Sequence, residues 1–306
     1  MMYKERDEKM YKIFSHNDLD GYSVNTICNF YNINVEIKNI NNKMVDIELM
    51  SFFSSGKHFN YEKVFLIDLY INKATAKYID EHVDNFILLD HHKSGEFLNI
   101  YKWATVMVDV KNIPACGASL FYDYLSNESV IVKKQTMNQY VESVRLFDTG
   151  EYLRISYNKQ YLPEELNALF YLYFKYFPAH ICSNMRKQTL LNCSDEKVAK
   201  ALLSKMRIYA MNKSKEIISF NFENYLVGVL FIEDAININN TFKICSDKYV
   251  QYDFFMFINM FKGISLRTFN SVDLSVIVDK YNGGGHAMAA GMPYDEELVL
   301  NILNSK

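Results

Sequence analysis

The chain has 306 residues, of which 49% are hydrophobic and 23% are charged, and its net charge is -3. This composition is typical of a folded globular protein, and the length is sufficient for two domains of ordinary size. The small negative charge does not indicate sequence-independent binding of long nucleic acid through many phosphate contacts. A short anionic substrate remains open.

The sequence carries no signal for export or membrane insertion. Its first ten residues are charged with both signs and contain no apolar core of signal-peptide length. The most apolar stretches, residues 226–232 and 254–261, are far shorter than the roughly 20 residues of a membrane-spanning helix. The five cysteines are widely spaced and include no Cys-x-x-Cys pair. We therefore expect a cytoplasmic protein with no membrane partner and no structural zinc site.

The first apolar run leads directly into three polar residues spaced two apart, His16, Asp18 and Asp20. Residues two apart in an extended segment project to the same side, so these side chains can act together. Gly21 permits a sharp turn after them, and a helix is predicted for residues 22–31. The pattern therefore indicates a strand that delivers polar ligands to its carboxyl end.

Two more apolar runs follow the same plan. Residues 64–67 end at Asp68 and precede a helical pattern at residues 73–83, while residues 86–89 end at Asp90-His91-His92. Continuous apolar strands interleaved with helices predict a parallel sheet that is covered on both faces. In such sheets, ligands bind at the carboxyl ends of the strands, where the strand order changes.

The remaining patterns are less regular but indicate a second domain. Within the first domain we predict short strands at residues 35–38 and 104–110, a turn at 39–43, and helices at 117–125, 133–147 and 163–178. Beyond a polar, lysine-rich helical stretch, we predict strands at 226–232 and 254–259 and helices at 274–281 and 296–303. Small residues at 287–291 are expected to let a helix pack behind a glycine loop.

The expected fold class is therefore α/β. We predict an N-terminal domain at residues 1–183 with a mostly parallel, doubly wound sheet, a helical connector at 184–215, and a smaller C-terminal α/β domain at 216–306. The active site is expected in the cleft between the domains.

The recurrence of carboxylates at strand ends is more informative than any one of them. A single acidic residue at a strand–helix junction is more often a helix cap than a metal ligand. Several carboxylates meeting at one sheet edge would repel one another and lose hydration unless a multivalent cation were bound. Mixed His and Asp ligands suit Mn, Fe, Zn or Mg, and their number exceeds the needs of one ion. A pair of ions can stabilise the attacking and leaving oxygens of a displacement at phosphorus, so phosphoester hydrolysis is the predicted reaction.

With these motifs the chain resembles the DHH phosphoesterases that carry a type 1 DHH-associated C-terminal domain. This group includes RecJ-like exonucleases, oligoribonucleases (nano-RNases) and cyclic-dinucleotide phosphodiesterases. The residues that match its four metal motifs are, in order, His16/Asp18/Asp20, Asp68, Asp90-His91-His92 and Asp148. The resemblance implies two divalent ions, with Mn(II) expected. It assigns one ion to His16, Asp18 and Asp68, and the other to Asp20, Asp68, His91 and Asp148, with Asp68 bridging.

The same resemblance implies roles for residues that do not bind metal. His92 is expected to face the scissile phosphate, and Asp90 to orient a neighbouring side chain. In the C-terminal domain, Arg267 matches a substrate-binding motif and offers a planar fork suited to phosphate. The glycine-rich motif that ends at His286 would let backbone N–H groups approach a nucleotide; its glycines are Gly283, Gly284 and Gly285.

The predicted function is hydrolysis of di- to pentanucleotides, including linear dinucleotides, to nucleoside monophosphates. Short RNA or DNA and cyclic dinucleotides are thus the expected partners, and a homodimer is left open. The alternatives are a cyclic nucleotide or cyclic dinucleotide phosphodiesterase and a 3'-phosphoadenosine 5'-phosphate phosphatase. A protein that only sequesters a nucleotide signal is the non-enzymatic alternative. A pyrophosphatase of the related metal-domain type is disfavoured, because Arg267 and residues 283–286 match the nucleotide-cleaving branch.

Overall fold

A computed structural model describes residues 10–154, 156, 158–233 and 238–305. The charged N-terminal segment considered above, residues 1–9, lies outside the described residues. The chain divides into two compact units, residues 1–200 and 201–306. Among the helices of the described residues, none combines the length and apolar character needed to cross a bilayer.

The first unit is built on a sheet of five strands that all run parallel. The strands are β1 (Tyr11–His16), β2 (Val35–Ile40), β3 (Lys63–Ile67), β4 (Phe86–Asp90) and β5 (Ala104–Val106). Their order in the sheet is β2-β1-β3-β4-β5, a doubly wound arrangement in which the direction of winding changes between β1 and β3. The predicted α/β class with a parallel first sheet is confirmed.

Helices cover both faces of this sheet. Their bounds are α1 (Leu19–Tyr31), α2 (Val45–Ser54), α3 (Lys73–His82), α4 (Gly117–Asn127), α5 (Gln135–Asp148), α6 (Pro163–Tyr173) and α7 (Phe177–Met185). Successive strand residues point to opposite faces, so Phe65 packs with α1 and α4 to α7 while Leu66 packs with α2 and α3. Both side chains are fully buried. The continuous apolar runs in the sequence follow from this double burial.

The first helix begins earlier than the sequence suggested, and this changes the role of two residues. Helix α1 starts at Leu19, so Asp18 is its N-cap and Asp20 lies in its first turn. Gly21 is a helical residue rather than a turn. A β-carbon there would lie 2.1 Å from the carbonyl oxygen of His16, so glycine is required by close contact between the helix and the end of β1.

Three other expectations were wrong in detail. Residues 163–178 do not form one helix, because the chain breaks at Phe174, which has φ 44° and ψ -118°, and α7 restarts with Pro178 in its first turn. Residues 104–110 form β5 and then β6 (Asp109–Val110), which pairs with β7 (Ile113–Pro114) instead of extending the sheet. The helical stretch predicted for residues 184–215 is interrupted before α8 (Cys193–Lys213).

The second unit has a mixed sheet of six strands in the order β12-β13-β11-β10-β9-β8. The strands are β8 (Ile218–Phe222), β9 (Tyr225–Phe231), β10 (Phe254–Asn259), β11 (Gly263–Arg267), β12 (Gly284–His286) and β13 (Ala289–Met292). The helices are α9 (Ile238–Lys248), α10 (Leu274–Asp279) and α11 (Glu296–Asn304). The hairpin of β12 and β13 was not predicted, but α10 contacts both of its strands, as the small residues at 287–291 were expected to allow.

Candidate metal centre

The polar residues that end β1, β3 and β4 converge at the carboxyl edge of the first sheet. His16 is the last residue of β1 and Asp90 is the last residue of β4, while Asp68 follows β3 directly. The change in winding between β1 and β3 places this cluster at the position where doubly wound sheets bind ligands. Asp148 joins the cluster from the last position of α5. A carboxylate at a helix C-terminus is disfavoured by the helix dipole unless a cation balances it.

One group of potential ligands combines His16, Asp18 and Asp68, whose ligand atoms all lie within 4.8 Å of one another. His16 Nδ1 lies 2.6 Å from Asp18 Oδ2 and 3.7 Å from Asp68 Oδ2. Asp18 also caps α1, because its Oδ1 accepts a 3.0 Å hydrogen bond from the backbone N–H of Gly21. This group contains the three residues that the family resemblance assigns to one ion.

A second group combines Asp20, His91 and Asp148 within the same distance limit. His91 Nε2 lies 3.4 Å from Asp148 Oδ2 and 3.1 Å from Asp68 Oδ1, so one imidazole nitrogen faces two carboxylates. Asp68 and His91 also form a third group with Asp90 and His92. Asp68 is thus in the first and third groups but not in the group of Asp20 and Asp148, to which it is linked by the 3.1 Å distance from its Oδ1 to His91 Nε2.

The environment of these carboxylates fits divalent cations. Three buried carboxylate oxygens in the cluster accept no hydrogen bond from any described residue, namely the Oδ2 atoms of Asp68, Asp90 and Asp148. Buried acceptors without a partner are rare in folded proteins because losing hydration without compensation is costly. Hard oxygen donors with imidazole nitrogens, and no thiolate, suit Mn, Mg, Fe or Zn. The residues therefore fit the predicted pair of ions.

Electrostatics support the same interpretation. Burial and the carboxylate of Asp148 raise the pKa of Asp20 to about 6, and burial and the carboxylate of Asp18 raise the pKa of Asp148 to about 7. Burial and the nearby Asp20 raise the pKa of Asp68 well above its usual range. These shifts express first the loss of hydration on burial and then the mutual repulsion of carboxylates that share one site. A bound cation would remove that repulsion.

Asp68 also has an unusual backbone. Its φ is 60°, in the left-handed region that non-glycine residues rarely adopt, although Asp and Asn are enriched among those that do. The side chain is only 2% exposed. Strained backbone at a buried polar residue is characteristic of functional sites, where the surrounding structure holds a side chain in a fixed direction.

Asp90 and His92 form a separate pair at the edge of the cluster. His92 Nδ1 lies 2.7 Å from Asp90 Oδ1, and Asp90 is fully buried. Although burial disfavours a charged imidazole, the carboxylate of Asp90 raises the pKa of His92 to about 9. His91 is affected in the opposite direction, because burial and the neighbouring His92 lower its pKa to about 4. Two adjacent histidines thus differ sharply in basicity, and the more basic one is oriented by Asp90.

In the second unit, the structure aligns the predicted substrate-binding residues in one row across three strands. Arg267 of β11 pairs with Ala289 of β13, and Ala289 pairs with His286 of β12. Directly paired residues of antiparallel strands point to the same face, so the side chains of Arg267 and His286 flank a single methyl group. Arg267 Nε donates a 3.2 Å hydrogen bond to Asn239 Oδ1 at the start of α9.

The glycines beside this row allow tight packing. A β-carbon on Gly283 would lie 2.4 Å from the carbonyl oxygen of Gly291 on β13. Gly285 has φ 137°, which a residue with a side chain adopts only under strain. Gly284 pairs with Gly291, two pairs along the hairpin from the row of Arg267 and His286. The motif thus forms a flat strand pair with little side-chain bulk next to Arg267 and His286.

The sequence did not indicate the part that Gly117 plays in the metal centre. A β-carbon on Gly117 would lie 2.5 Å from the β-carbon of Asp68 and 2.9 Å from Asp20 Oδ2. The backbone N–H groups of Gly117 and Ala118 donate hydrogen bonds of 2.6 and 3.0 Å to the carboxylate of Asp20. Gly117 begins a predicted helix, but only its place against β3 and α1 distinguishes it from an ordinary helix start.

The chain is similar to known nucleases and phosphodiesterases. No family model matches the chain. The chain is 28% identical to oligoribonuclease NrnB of Bacillus subtilis, over 94% of the chain and 74% of that protein. It is 22% identical to a 3',5'-cyclic-nucleotide phosphodiesterase of Helicobacter pylori, over 92% of both proteins. Among solved structures, exonuclease RecJ bound to manganese superimposes with a TM-score of 0.57 at 12% identity, covering 98% of the chain and 89% of RecJ.

The likeness to RecJ concerns the fold, which has the same parallel sheet and second sheet domain. The likeness to the two curated hydrolases extends over nearly the whole chain. Together with clusters of Asp and His residues that can hold metal ions, these relatives indicate a metal-dependent hydrolase that acts on phosphoester bonds, in keeping with the DHH resemblance of the sequence motifs.

Proposed function

We propose that the chain is a two-metal phosphodiesterase that hydrolyses short oligonucleotides, from di- to pentanucleotides and including linear dinucleotides, to nucleoside monophosphates. The observation that carries this proposal is that two ligand groups meet at the carboxyl edge of the first sheet, where His91 of the second group lies 3.1 Å from Asp68 of the first. The similarity to an oligoribonuclease over 94% of the chain supports the choice of substrate.

In this proposal the first ion is held by His16, Asp18 and Asp68, and the second by Asp20, Asp68, His91 and Asp148. The ions would supply Lewis-acid stabilisation of the attacking and leaving oxygens at phosphorus. Mn(II) is the proposed metal, because the donor set is hard and mixes carboxylates with imidazole.

His92 would contact the scissile phosphate directly. Its Nδ1 is oriented by Asp90 Oδ1 at 2.7 Å, so the ring presents a fixed edge to the centre. An imidazole held in this way can hydrogen-bond to the phosphoryl group or supply a proton to the departing oxygen. Asp90 acts here as a positioning residue for His92.

The row of Arg267 and His286 would bind the nucleotide portion of the substrate. The guanidinium provides a bidentate fork for a phosphate, and its hydrogen bond to Asn239 keeps the fork in one orientation. Gly283, Gly284 and Gly285 would let backbone N–H groups approach the ligand. We propose that this surface contributes to affinity more than to the chemical step.

A cyclic nucleotide is the second candidate substrate. It is favoured by the similarity to the Helicobacter pylori phosphodiesterase over 92% of the chain. Both candidates require attack on a phosphodiester, so the metal centre alone does not separate them. A 3'-phosphoadenosine 5'-phosphate phosphatase would use the same ions on a monoester.

The test is a time course with end-labelled RNA from two to twenty-four nucleotides in Mn(II), with a chelated control and the Asp68→Asn variant. Rapid cleavage restricted to the shortest members, absent from both controls, is the expected result.

A parallel panel contains a 3',5'-cyclic nucleotide, a cyclic dinucleotide, 3'-phosphoadenosine 5'-phosphate and pyrophosphate. If any of these compounds is turned over faster than a linear dinucleotide, that compound replaces the proposed substrate. If the protein binds a nucleotide but hydrolyses none of the compounds tested, it is a sequestering protein.

A further inference from the structure

A cavity of about 430 Å³ opens beside the metal centre within the first unit. It begins at His92 and follows the segment just after Asp68, where Tyr70 lines its wall. Its size falls in the range of ligand pockets, roughly 300 to 1,000 Å³. None of the residues proposed to bind metal lines this cavity, so the space needs an explanation of its own.

The cavity has an apolar floor, aromatic walls and a polar mouth. Three fully or nearly fully buried aliphatic side chains, Val45, Leu69 and Ile71, form the floor. Tyr70 and Phe97 provide the walls, and both pack against the hydrophobic core on that face of the sheet. The mouth carries exposed or half-exposed polar side chains, namely Asn42, Asp46, Asn72 and Lys73.

The wall at Tyr70 is closely packed against Gly95. A β-carbon on Gly95 would lie 3.0 Å from the β-carbon of Tyr70 and 2.8 Å from Asp90 Oδ2, so this glycine lets Tyr70 and Asp90 approach the same point. The Tyr70 ring centroid lies 6.2 Å from that of His92. The Tyr70 hydroxyl makes no hydrogen bond to any described residue, although the ring is only partly exposed. Its position is therefore determined by the packing of the ring.

The polar mouth is also organised. Asp46 Oδ1 accepts a 3.0 Å hydrogen bond from the backbone N–H of Asn72, which ties α2 to the start of α3. Lys73 Nζ lies 5.8 Å from the centroid of the Phe97 ring, within range of a cation–π contact. The mouth thus offers amide and carboxylate groups that can pair with the edge of a planar heterocycle.

We propose that this cavity holds the nucleobase of the nucleoside on the His92 side of the scissile phosphate. The inference rests on the proposed function and adds a base-recognising pocket formed by Tyr70 and Phe97. A free phosphate would gain nothing from the apolar floor formed by Val45, Leu69 and Ile71. A planar base instead gains stacking on the aromatic walls and hydrogen bonds at the mouth. The pocket therefore makes the enzyme sensitive to a base on one side of the cleaved bond.

The experiment compares a linear dinucleotide with its two abasic analogues, which lack the base of either the 5' or the 3' nucleoside. For the wild-type protein, kcat/KM should fall about 5- to 150-fold for one analogue, which corresponds to the loss of one stacked base. In Tyr70→Ala and Phe97→Ala the ratio of kcat/KM for the intact dinucleotide to that for the abasic analogue should shrink toward unity. The intact substrate loses its base stacking in these variants, whereas the abasic analogue has no base to stack. Tyr70→Phe keeps the ring and should keep the preference. Phe59→Ala, at a side chain that is 80% exposed and outside the cavity, is the matched control.

A binding measurement separates the pocket from the reaction. Calorimetric titration of the Mn(II)-loaded protein with adenosine 5'-monophosphate and with ribose 5-phosphate reports discrimination for the base without turnover. If Tyr70→Ala no longer binds adenosine 5'-monophosphate more tightly than ribose 5-phosphate, the pocket is supported. This holds even if no dinucleotide is hydrolysed, and then only the proposed function is wrong. If dinucleotides are hydrolysed but Tyr70→Ala keeps the full preference for the base, or slows all three substrates equally, the pocket proposal is wrong and the proposed function stands.

Discussion

The carboxylate of Asp20 accepts a 2.6 Å hydrogen bond from the backbone N–H of Gly117, although 97 positions separate them in the sequence. Asp20 thereby caps the N-terminus of α4 while it faces His91 and Asp148. The N–H groups of a helix start favour negative charge, so they help to keep a buried carboxylate ionised. One side chain thus links the packing of α4 to the geometry of the metal centre.

Replacing Gly117 by alanine should therefore disturb the geometry of the proposed metal ligands, although Gly117 is not itself a ligand. The added methyl group would collide with Asp68 and displace Asp20, and both are proposed metal ligands. We expect kcat/KM to fall at least about tenfold, and displacement of one ligand by 1 Å can cost about 100-fold. Gly56→Ala is the control, because its β-carbon would meet only the edge of Phe59 despite a φ of 71°. Equal activity of the two variants would contradict the proposed contact.

Asp68→Asn tests the bridging ligand with little disturbance of the backbone. Asparagine tolerates the left-handed conformation about as well as aspartate, whereas alanine would add strain. We expect kcat to fall at least about 1,000-fold and the number of bound Mn(II) ions, measured by calorimetry, to fall from two. Asp109→Asn, at an exposed position outside the cluster, should behave as the wild type. Substantial activity in Asp68→Asn would remove Asp68 from the proposed ligand set.

Arg267→Ala should act on affinity. The guanidinium is proposed to bind a substrate phosphate, and removing it should raise KM about 10-fold or more, consistent with the loss of a charge-assisted hydrogen bond of about 1.5–3 kcal/mol. A smaller change is expected in kcat. Arg207→Ala, an exposed arginine of the same unit, is the control. If kcat falls while KM stays constant, Arg267 acts in the chemical step and the proposed division of roles is wrong.

Removal of metal should lower stability as well as activity. Without cations, the buried carboxylates of Asp20, Asp68 and Asp148 repel one another, as their raised pKa values indicate. A ligand present at about 100 times its Kd stabilises the folded state by about 2.7 kcal/mol. We expect the thermal midpoint to drop by several degrees on chelation and to recover with added Mn(II). In Asp68→Asn this difference should be smaller, and an unchanged midpoint in the wild type would argue against metal binding at the cluster.

Asp195 gives a prediction for pH dependence that is independent of the metal centre. Its carboxylate accepts hydrogen bonds from Asn184 Nδ2 at 2.7 Å and from the backbone N–H of Asn192 at 3.2 Å, and its Oδ1 lies 2.9 Å from His180 Nε2. Burial opposes the charge, but these hydrogen bonds, above all that of Asn184, hold the pKa of Asp195 below its ordinary value of 3.8.

A folded-state pKa below the unfolded one stabilises the protein above pH 3.8, and this contribution is lost as the pH falls through the folded value. Asp195→Asn should therefore lower the free energy of unfolding at pH 7 by about 1–3 kcal/mol. The NH2 group of the new amide would replace a carboxylate oxygen, and it cannot accept the hydrogen bonds that Asn184 and Asn192 donate. Urea titrations between pH 3 and 7 should show the two proteins converging at the acid end. A constant difference across that range would show that the ionised carboxylate is not responsible.

The sequence indicated the parts of the fold where local pattern and tertiary burial agree. The apolar runs before Asp68 and Asp90 are continuous because both faces of the sheet are buried, and their polar ends coincide with the strand ends. The break at Phe174 was not foreseen, because an aromatic-rich run has the same composition whether or not the helix continues. The hairpin at residues 284–292 was also missed, since its small residues are compatible with close packing of either a helix or a strand.

The candidate site shows the same division. Its ligand types could be read from the sequence at His16, Asp18, Asp68 and the residues around His91, but their supporting contacts could not. Gly117 and Tyr70 are ordinary in sequence terms, and only three-dimensional proximity gives them a role. Asp20 was expected on an extended segment, yet it lies in the first turn of α1, where its carboxylate reaches α4.

The parallel arrangement of β1, β3 and β4 also has a consequence for how the chain folds. Parallel neighbours require long crossovers, so the proposed ligands come from four stretches of chain, around His16, Asp68, His91 and Asp148, that are far apart in sequence. Neither the group of His16, Asp18 and Asp68 nor the group of Asp20, His91 and Asp148 is contained in one local segment of the chain. A partly folded chain with the same side chains would lack the capacity to hold a pair of ions. Binding of the two ions therefore requires the tertiary structure of the first unit to be complete. In refolding experiments, ion binding should be detected only when the first unit has acquired its native core.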